Sequence, residues 1–102
     1  MIKPFNSSFS IRMNIINNAD RHRFEAEVDG EIAFVEYQWK EGVIYIMHTF
    51  VPHALRGKGL AAQLAVFVLD TIRKEQWPVK IYCPFFKKYI EEHPEYQDLT
   101  HP

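Results

Sequence analysis

One segment, residues 43–75, constrains the fold of this chain more than any other part of it. Its first nine residues, VIYIMHTFV (43–51), are apolar on both faces until His48, which is typical of a central strand in a sheet. Gly57 and Gly59 then flank a lysine, and after them apolar residues recur at helical spacing. Glycine-rich turns between a strand and a helix often bind phosphate groups. The segment therefore predicts a central strand, an anion-binding turn and a helix in direct succession.

Three more strands are predicted before this segment. Apolar and polar residues alternate at residues 11–15 and 24–28, and this period of two indicates strands with one buried face. A third strand, EIAFVEYQW (31–39), follows them. The dipeptide Asp29-Gly30 separates the second strand from the third, and it predicts a tight hairpin because glycine tolerates a positive φ. Since short turns join all four strands, we expect them to form an antiparallel meander.

One helix, one strand and a second helix complete the predicted order. The first helix ends at QWP (76–78), because proline disfavours helix in the residue before it. VKIYC (79–83) predicts a fifth strand, and Pro84 suits the first turn of a second helix that stops before Pro94. A helix between two strands is a crossover, so strands four and five run parallel if they are neighbours. The predicted fold class is α+β, an antiparallel four-stranded meander with one parallel pair.

Length, charge and cysteine content limit the classes of function. A chain of 102 residues has room for one hydrophobic core, so we predict a single domain over residues 1–102, with residues 1–10 as a loose tail. A net charge of −1 argues against nucleic acid as a partner, and no stretch approaches the roughly 20 apolar residues of a membrane span. Cys83 is the only cysteine, which excludes an intrachain disulfide and fits a reducing compartment. Because the N-terminal residues lack the apolar run of a secretory signal, we expect a cytoplasmic protein. The oligomeric state stays open.

Two familiar phosphate-binding motifs fit the turn poorly. A Walker A loop requires a glycine five residues before its second glycine and a serine or threonine after its lysine, whereas Pro52 and Gly59 occupy those positions here. A dinucleotide fingerprint, GxGxxA, is formally present at Gly57, Gly59 and Ala62. It begins several residues after its strand, however, and the fifth strand ends without the carboxylate that would hold a ribose. A dinucleotide site is therefore a minor alternative.

The turn RGKGLA (56–61) resembles the Q/R-x-x-G-x-G/A loop of the GNAT-type N-acetyltransferases. Four longer stretches are similar to a small acetyltransferase-like family that lacks the two early helices of that superfamily: FEAEVDGEIAFVEY, HTFVPHALRGKGLAAQL, CPFFKKYI and HPEYQDL. Together they span residues 24–99. The resemblance implies a minimal GNAT-like fold and an enzyme that acetylates an amine at the expense of acetyl-coenzyme A.

The resemblance also implies where coenzyme A binds. The loop of these enzymes holds the coenzyme pyrophosphate, and successive N–H groups that open a helix do form a partly positive concavity for an anion. Strands four and five are expected to part, so that the pantetheine arm of the coenzyme inserts between them. The predicted coenzyme-binding residues are Thr49, Phe50 and Val51 for the arm, and Arg56, Gly57, Lys58, Gly59, Leu60 and Ala61 for the pyrophosphate.

Three residues are candidates for the chemistry. Cys83 precedes Pro84 at the start of the second helix, where the helix dipole favours a thiolate, and the resemblance implies a nucleophile there; a buried core cysteine is the alternative. His48 can act as a base on Cys83 or on an incoming amine, or it can be a histidine hydrogen-bonded within the sheet. By resemblance Tyr89 protonates the departing thiolate, although packing is the commoner role of a tyrosine on a helix.

Three classes of function follow from these observations. The leading one is an acetyl-coenzyme A-dependent N-acetyltransferase whose acceptor amine no residue identifies. The second is a coenzyme-binding module without transfer activity, because the helices that usually shape an acceptor pocket are missing. The third is a protein-interaction domain whose turn binds phosphate incidentally. The remaining histidines show no metal-ligand spacing, so we expect no metal site.

Overall fold

A computed structural model of the protein describes residues 13–100. The predicted tail, residues 1–10, lies outside the described residues, as does the start of the first predicted strand. The described residues form one five-stranded sheet with two α-helices. The strands are β1 (Ile16–Asn18), β2 (Arg23–Val28), β3 (Glu31–Lys40), β4 (Val43–Phe50) and β5 (Val79–Ile81), and the helices are α1 (Leu60–Glu75) and α2 (Pro84–Glu92).

The strands lie in the sheet in the order in which they occur along the chain, from β1 at one edge to β5 at the other. The pairs β1–β2, β2–β3 and β3–β4 are antiparallel, and β4–β5 is parallel. The predicted meander and the single parallel pair are thus confirmed, as is the α+β fold class. β4 has a strand on each side, in agreement with its nearly continuous apolar sequence.

The first strand begins later than its alternating pattern predicts. β1 starts at Ile16, whereas the pattern placed a strand over residues 11–15. Met13 and Ile15 instead precede the strand and pack, half-buried, against the core. A period of two appears here because every second side chain of an extended segment reaches the core, and this packing does not require strand pairing.

The fifth strand is also shorter than the sequence predicts. It ends at Ile81, because the N–H groups of Tyr82 and Cys83 both donate to one acceptor, the carbonyl of Ile46, at 2.8 and 3.0 Å. Two donors on one carbonyl end the regular ladder, in which each carbonyl serves one residue. The chain then turns directly into α2 at Pro84.

Both helices pack against one face of the sheet, which we call the inner face. α1 contacts β2 and β3, α2 contacts β4 and β5, and the two helices also contact each other. Neither α-helix lies on the opposite face, which we call the outer face. The outer face carries the large apolar side chains of Ile32, Phe34, Tyr45, Phe50 and Tyr82. The core beneath the helices is formed by Phe24, Ala33, Val35, Tyr37, Ile44, Ile46, Leu64, Ala65, Val68, Leu69, Ile72, Cys83, Phe86, Ile90 and Tyr96.

A short 3-10 helix, Pro94–Leu99, fastens the C-terminal residues to α1. The Tyr96 hydroxyl donates a 2.8 Å hydrogen bond to a carboxylate oxygen of Asp70, and Tyr96 is only 8% exposed. Arg73 donates two hydrogen bonds of 2.9 Å to the carboxylate of Asp98. These contacts join residues more than 20 positions apart, and the pattern of apolar residues gave no sign of them.

Replacing Tyr96 with phenylalanine should lower the free energy of unfolding by about 1 kcal/mol, because it removes a hydrogen bond to Asp70 from a nearly buried site. Burial and this hydrogen bond raise the pKa of Tyr96 to about 12, from 10.0 for an ordinary tyrosine. The contribution of Tyr96 is therefore complete below pH 10 and is lost as the pH rises from 10 to about 12. Denaturant titrations should show that the free energies of unfolding of the original protein and of the phenylalanine variant converge between pH 10 and about 12. A difference that stays constant over this interval would contradict the role assigned to the Tyr96 hydroxyl.

Candidate functional site

The glycine turn has a backbone that only glycine adopts without strain. Gly57 and Gly59 have φ angles of +80° and +77°, in the left-handed region that disfavours other residues. A Cβ atom built on either glycine would meet no atom within 4 Å. The glycines are therefore required by the path of the backbone and not by a shortage of space. This path leaves an open surface at the start of α1.

Within residues 13–100, the N–H groups that open α1 at that surface have no hydrogen-bond partner. Gly59 is the N-cap residue and has no side chain to accept hydrogen bonds from the helix. The first helical bond runs from the Gln63 N–H to the Gly59 carbonyl at 3.2 Å, so the N–H groups of residues 60–62 precede the helical ladder. Lys58 is exposed beside them. Together with the positive end of the helix dipole, these donors form a site for an anion.

The positive charge of Arg56 suggests a side chain directed entirely at the anion site, but one of its N–H groups is bonded to the main chain instead. Its Nε–H donates a 3.0 Å hydrogen bond to the carbonyl of Val51, which holds the side chain back along the incoming chain. The guanidinium has further N–H groups beyond the one used in this bond. Arg56 therefore ties the start of the turn to the end of β4 and, as far as residues 13–100 are concerned, keeps donors free for a ligand.

β4 and β5 part beyond a short paired region. Ile44 pairs with Val79 and Ile46 pairs with Ile81, but β5 then ends while β4 continues to Phe50. On its other side β4 stays paired with β3 as far as Phe50. The β5 side of β4 is thus open at Thr49 and Phe50, next to the predicted arm-binding residue Val51. This is the separation expected between these two strands.

The open end of the two strands leads to a cavity of about 250 Å³ at the glycine turn. Phe85, in the first turn of α2, lies across the cavity from the turn. The lining residues are Val51, Leu55, Arg56, Gly57, Gly59, Leu60, Ala61, Ala62 and Phe85. The structure therefore brings together most of the residues predicted to bind the coenzyme. Phe85 was not among them, because no local pattern indicates which face of α2 meets the turn.

A β-bulge decides which side chains of β4 face the helices. The register with β3 shifts between Glu36 and Tyr37, so that Tyr37 pairs with Ile46 and Glu36 pairs with His48. Met47 is the extra residue. Because one inserted residue reverses the alternation of side chains, Thr49 faces inward beyond the bulge and His48 faces outward. The sequence pattern, read without a bulge, would have placed His48 on the inner face with Ile44 and Ile46.

Cys83 lies on the inner face in contact with Thr49. It is 2% exposed, and its Sγ is 3.3 Å from the hydroxyl oxygen of Thr49. It is the N-cap residue of α2, and its carbonyl accepts a 3.0 Å hydrogen bond from the Lys87 N–H. The thiol is therefore buried in the core, as a structural cysteine would be, and it lies at the positive end of a helix, as a nucleophilic cysteine would.

His48 lies on the outer face, away from Cys83. Its ring centroid is 6.5 Å from that of Phe34, and Phe34 is in turn 5.5 Å from Phe50. Glu36 stands opposite His48 on the neighbouring strand β3. This pair lies just beyond the residues of β4 that pair with β5. The imidazole is exposed to solvent. His48 is thus placed to meet a molecule that approaches the outer face, and the sheet separates it from the Cys83 thiol.

Tyr89 projects from α2 one turn after Phe85, and the two ring centroids are 6.1 Å apart. Its ring stacks on that of His93 at 3.8 Å. Burial raises the pKa of Tyr89, and the nearby carboxylates of Glu95 and Asp70 raise it further. The phenol is therefore protonated at neutral pH, as a proton donor must be.

A family model described as GCN5-related N-acetyl-transferase matches residues 23–99 of this chain. The chain belongs to the GCN5-related N-acetyltransferase (GNAT) family. The match covers β2 to the end of the C-terminal 3-10 helix, including the glycine turn, Cys83 and Tyr89. The predicted family is confirmed, and the residues on which the prediction relied lie within the matched range.

Relatives of known sequence and structure agree with this membership. Protein NATD1 of Gallus gallus is 30% identical over 93 residues, which are 87% of this chain and 84% of that protein. Protein NATD1 of Homo sapiens is 32% identical over 78 residues, 72% of this chain and 68% of its own length. The NMR solution structure of a GCN5-like protein from Staphylococcus aureus, described as a candidate N-acetyltransferase, has a TM-score of 0.67 and 25% identity, with 87% of this chain and 88% of that chain covered. The minimal GNAT-like fold is therefore confirmed.

Within residues 13–100, no group of three or more histidine, cysteine, aspartate or glutamate side chains is placed to hold a metal ion. Over the same residues, no helix combines the length and the apolar character needed to cross a bilayer.

Proposed function

We propose that this GNAT domain is an acetyl-coenzyme A-dependent N-acetyltransferase. The observation that carries the proposal is the position of the glycine turn beside the open end of β4. The turn offers an anion site, and the adjacent strand offers unpaired main-chain groups that lead away from it. Coenzyme A has the matching chemistry, because a pyrophosphate is joined to an arm that contains amide groups.

The residues present fit the pyrophosphate end of coenzyme A. The residues at the start of α1 line the cavity, no side chain of the described residues caps their N–H groups, and Lys58 and the remaining N–H groups of Arg56 supply positive charge. Gly57 and Gly59 let the backbone approach a phosphate closely because no side chain projects toward it. We propose that residues 56–61 hold the pyrophosphate in this way.

The residues at the end of β4 fit the pantetheine arm. Because successive residues of a strand point their main-chain groups to opposite sides, only some of the donors and acceptors of Thr49, Phe50 and Val51, those of Thr49 among them, lie on the side that β5 leaves open. An amide-containing arm can pair with such groups as a short strand would. We propose that the arm runs along this open side of β4, with Phe85 packed against it at the mouth of the cavity.

We further propose that Cys83 carries the acetyl group between donor and acceptor. Acetyl-coenzyme A supplies an activated thioester. Cys83 Sγ forms a bond to the acetyl carbonyl carbon as the bond to the coenzyme sulfur breaks, and the proton lost by Cys83 ends on the coenzyme thiolate. An amine then attacks the acetylated cysteine, the new C–N bond forms, and the amine proton returns to Cys83. Thr49 supports this route, because its hydroxyl lies within hydrogen-bond distance of the sulfur.

The acceptor amine is proposed to arrive from the outer face. Glu36 beside His48 attracts a protonated amine, and His48, which is exposed there, takes one proton from it before the neutral amine passes between the parted ends of β4 and β5 to the acetylated Cys83. Tyr89, on the inner face with a raised pKa, is proposed to donate its proton to the departing coenzyme thiolate and to regain one from Cys83, so that the proton lost by Cys83 ends on the coenzyme. The acid and the base are thus assigned to opposite faces of the sheet.

A lone cysteine accords with a reducing compartment, so the proposal includes a cytoplasmic location.

A second candidate function is binding of coenzyme A without transfer. The exposed outer face favours it, because neither α-helix covers the side from which the acceptor is proposed to arrive. A shallow open surface selects an acceptor less strictly than an enclosed pocket does. Transfer of an acetyl group to an amine, measured beside binding of the coenzyme, separates the two candidate functions.

The proposal is tested by mixing the protein with acetyl-coenzyme A and recording its mass under native and then denaturing conditions. We expect a non-covalent complex under native conditions and an added acetyl group under denaturing conditions that maps to Cys83. A panel of amines, including a peptide with a free N-terminus, lysine and a polyamine, is then assayed for release of the coenzyme thiol. A complex that transfers to none of them would favour the second candidate. Absence of a complex at about 1 mM ligand, far above the micromolar range usual for substrates, would refute both.

A further inference from the structure

β5 has one edge that no other strand covers among residues 13–100. The carbonyl of Pro78 accepts a 2.9 Å hydrogen bond from the Ile44 N–H, and the Tyr82 N–H donates to the carbonyl of Ile46. Main-chain groups of successive residues in a strand point to opposite sides. Since Pro78 and Tyr82 point toward β4, Val79 and Ile81 point away from it. Each therefore presents an N–H and a carbonyl at the free edge.

This edge opens onto a groove with a volume of about 720 Å³. One wall is β5, and the other is the face of α2 formed by Lys87, Ile90 and Glu91, which are spaced three and four residues apart. Gln97 and Thr100 close one end. The volume lies within the range of ordinary ligand sites. A strand edge beside a helix is also the arrangement in which peptides bind by adding a strand.

The two sides of the groove differ in chemistry. The side chains of Val79 and Ile81 point inward and pack against the core, and Ile90 adds an apolar surface opposite them. Lys80 points to the outer face, is exposed and takes part in no salt bridge within residues 13–100. Residues directly opposite one another on neighbouring strands share a face. An added strand would thus meet apolar side chains on its inner face, with Lys87 and Glu91 on either side of Ile90 in the α2 wall, and a positive charge on its outer face.

We propose that this groove binds an extended peptide of another protein as a sixth strand, and that the peptide alternates apolar and acidic residues. The apolar residues lie under α2 beside Val79 and Ile81, and the acidic residue lies beside Lys80. A second copy of this chain is a poorer occupant. In the register that pairs the two β5 strands fully, Lys80 would stand opposite Lys80 of the copy, and like charges in that position are destabilising. The proposal does not depend on acetyl transfer.

The test uses the full chain and a blocked, fluorescently labelled peptide, Thr-Val-Glu-Val-Glu-Val-Thr. We expect saturable binding by fluorescence anisotropy, with amide chemical-shift changes in β5 and slower hydrogen exchange at Val79 and Ile81. Methyl groups on the valine nitrogens of the peptide should abolish binding, because they remove the donors that face β5. Excess coenzyme A should not displace the peptide, since the glycine turn lies at another part of the domain.

Charge reversal gives the sharper test. The variant Lys80→Glu should bind the peptide about fivefold more weakly and should bind better a peptide with lysine in place of both glutamates. Lys74→Glu makes the same charge change on the exposed side of α1 and should leave both affinities unchanged. Equal effects of the two variants would overturn the proposal, as would shift changes confined to the glycine turn. Protection of Ile81 without peptide, together with a dimer in sedimentation, would show that a second copy occupies the edge.

Discussion

Replacing Gly57 with aspartate should lower the affinity for coenzyme A at least a hundredfold. A hundredfold loss of affinity corresponds to about 2.7 kcal/mol of binding free energy. Two effects contribute to this loss. The new carboxylate projects into the open space where we place the pyrophosphate, so two negative charges oppose each other. The φ angle of +80° also strains any residue that has a Cβ atom. Isothermal titration with coenzyme A measures the loss directly.

Gly42 provides a matched control for this experiment. It lies in the turn between β3 and β4, its φ angle is +81°, and an added Cβ would also meet no atom within 4 Å. Gly42→Asp therefore introduces the same charge and a similar backbone strain at a site remote from the cavity. Both variants should lose about 1 kcal/mol of stability, because aspartate tolerates the left-handed region better than most residues. Only Gly57→Asp should lose coenzyme binding, and an equal loss in both would refute the anion site.

Replacing Cys83 with alanine should reduce acetyl transfer by about a thousandfold or more, because it removes the atom that carries the acetyl group. The acetyl adduct seen by mass spectrometry should disappear as well. Binding of coenzyme A should stay within about twofold of the original, since Cys83 does not line the cavity at the glycine turn. The measurements are turnover of an identified acceptor and affinity for coenzyme A on the same preparation.

Cys83→Ser separates the chemistry from the packing. Serine is similar in size and can keep the hydrogen bond to Thr49, but its hydroxyl is a weak nucleophile without a strong base beside it. We expect Cys83→Ser to match the original protein in thermal unfolding more closely than Cys83→Ala does, and to be as inactive in transfer. If both variants keep full turnover, the amine reacts directly with the thioester. Cys83 is then a core residue, while the anion site and the family assignment are unaffected.

The structure agrees with the sequence where local chemistry decides the conformation. Gly57 and Gly59 are needed for a left-handed turn, and Pro84 suits the first position of α2, so both elements could be located from residue types alone. The apolar period of α1 predicts the face that packs on the sheet. The order of the strands follows from short turns and a single crossover. These features depend on neighbours in the chain, and a sequence contains that information directly.

The disagreements arise where distant residues decide the conformation. The bulge at Met47 depends on pairing with β3, and it alone turns Thr49 toward Cys83 and His48 toward the outer face. No pattern within β4 distinguishes a bulged strand from a regular one. The position of Phe85 beside the glycine turn likewise depends on how α2 packs against the sheet.

The sequence by itself determined the family, the order of elements and the nature of the glycine turn, because each is set by residue types at short separations. Only the tertiary structure decided that Cys83 and His48 lie on opposite faces of the sheet and that β5 has a free edge beside α2. Those facts come from strand register and helix packing, in which residues 30 or more positions apart come into contact, as Thr49 and Cys83 do. A shift of one residue in register reverses every side chain beyond it, and the order of elements along the chain is unchanged by such a shift.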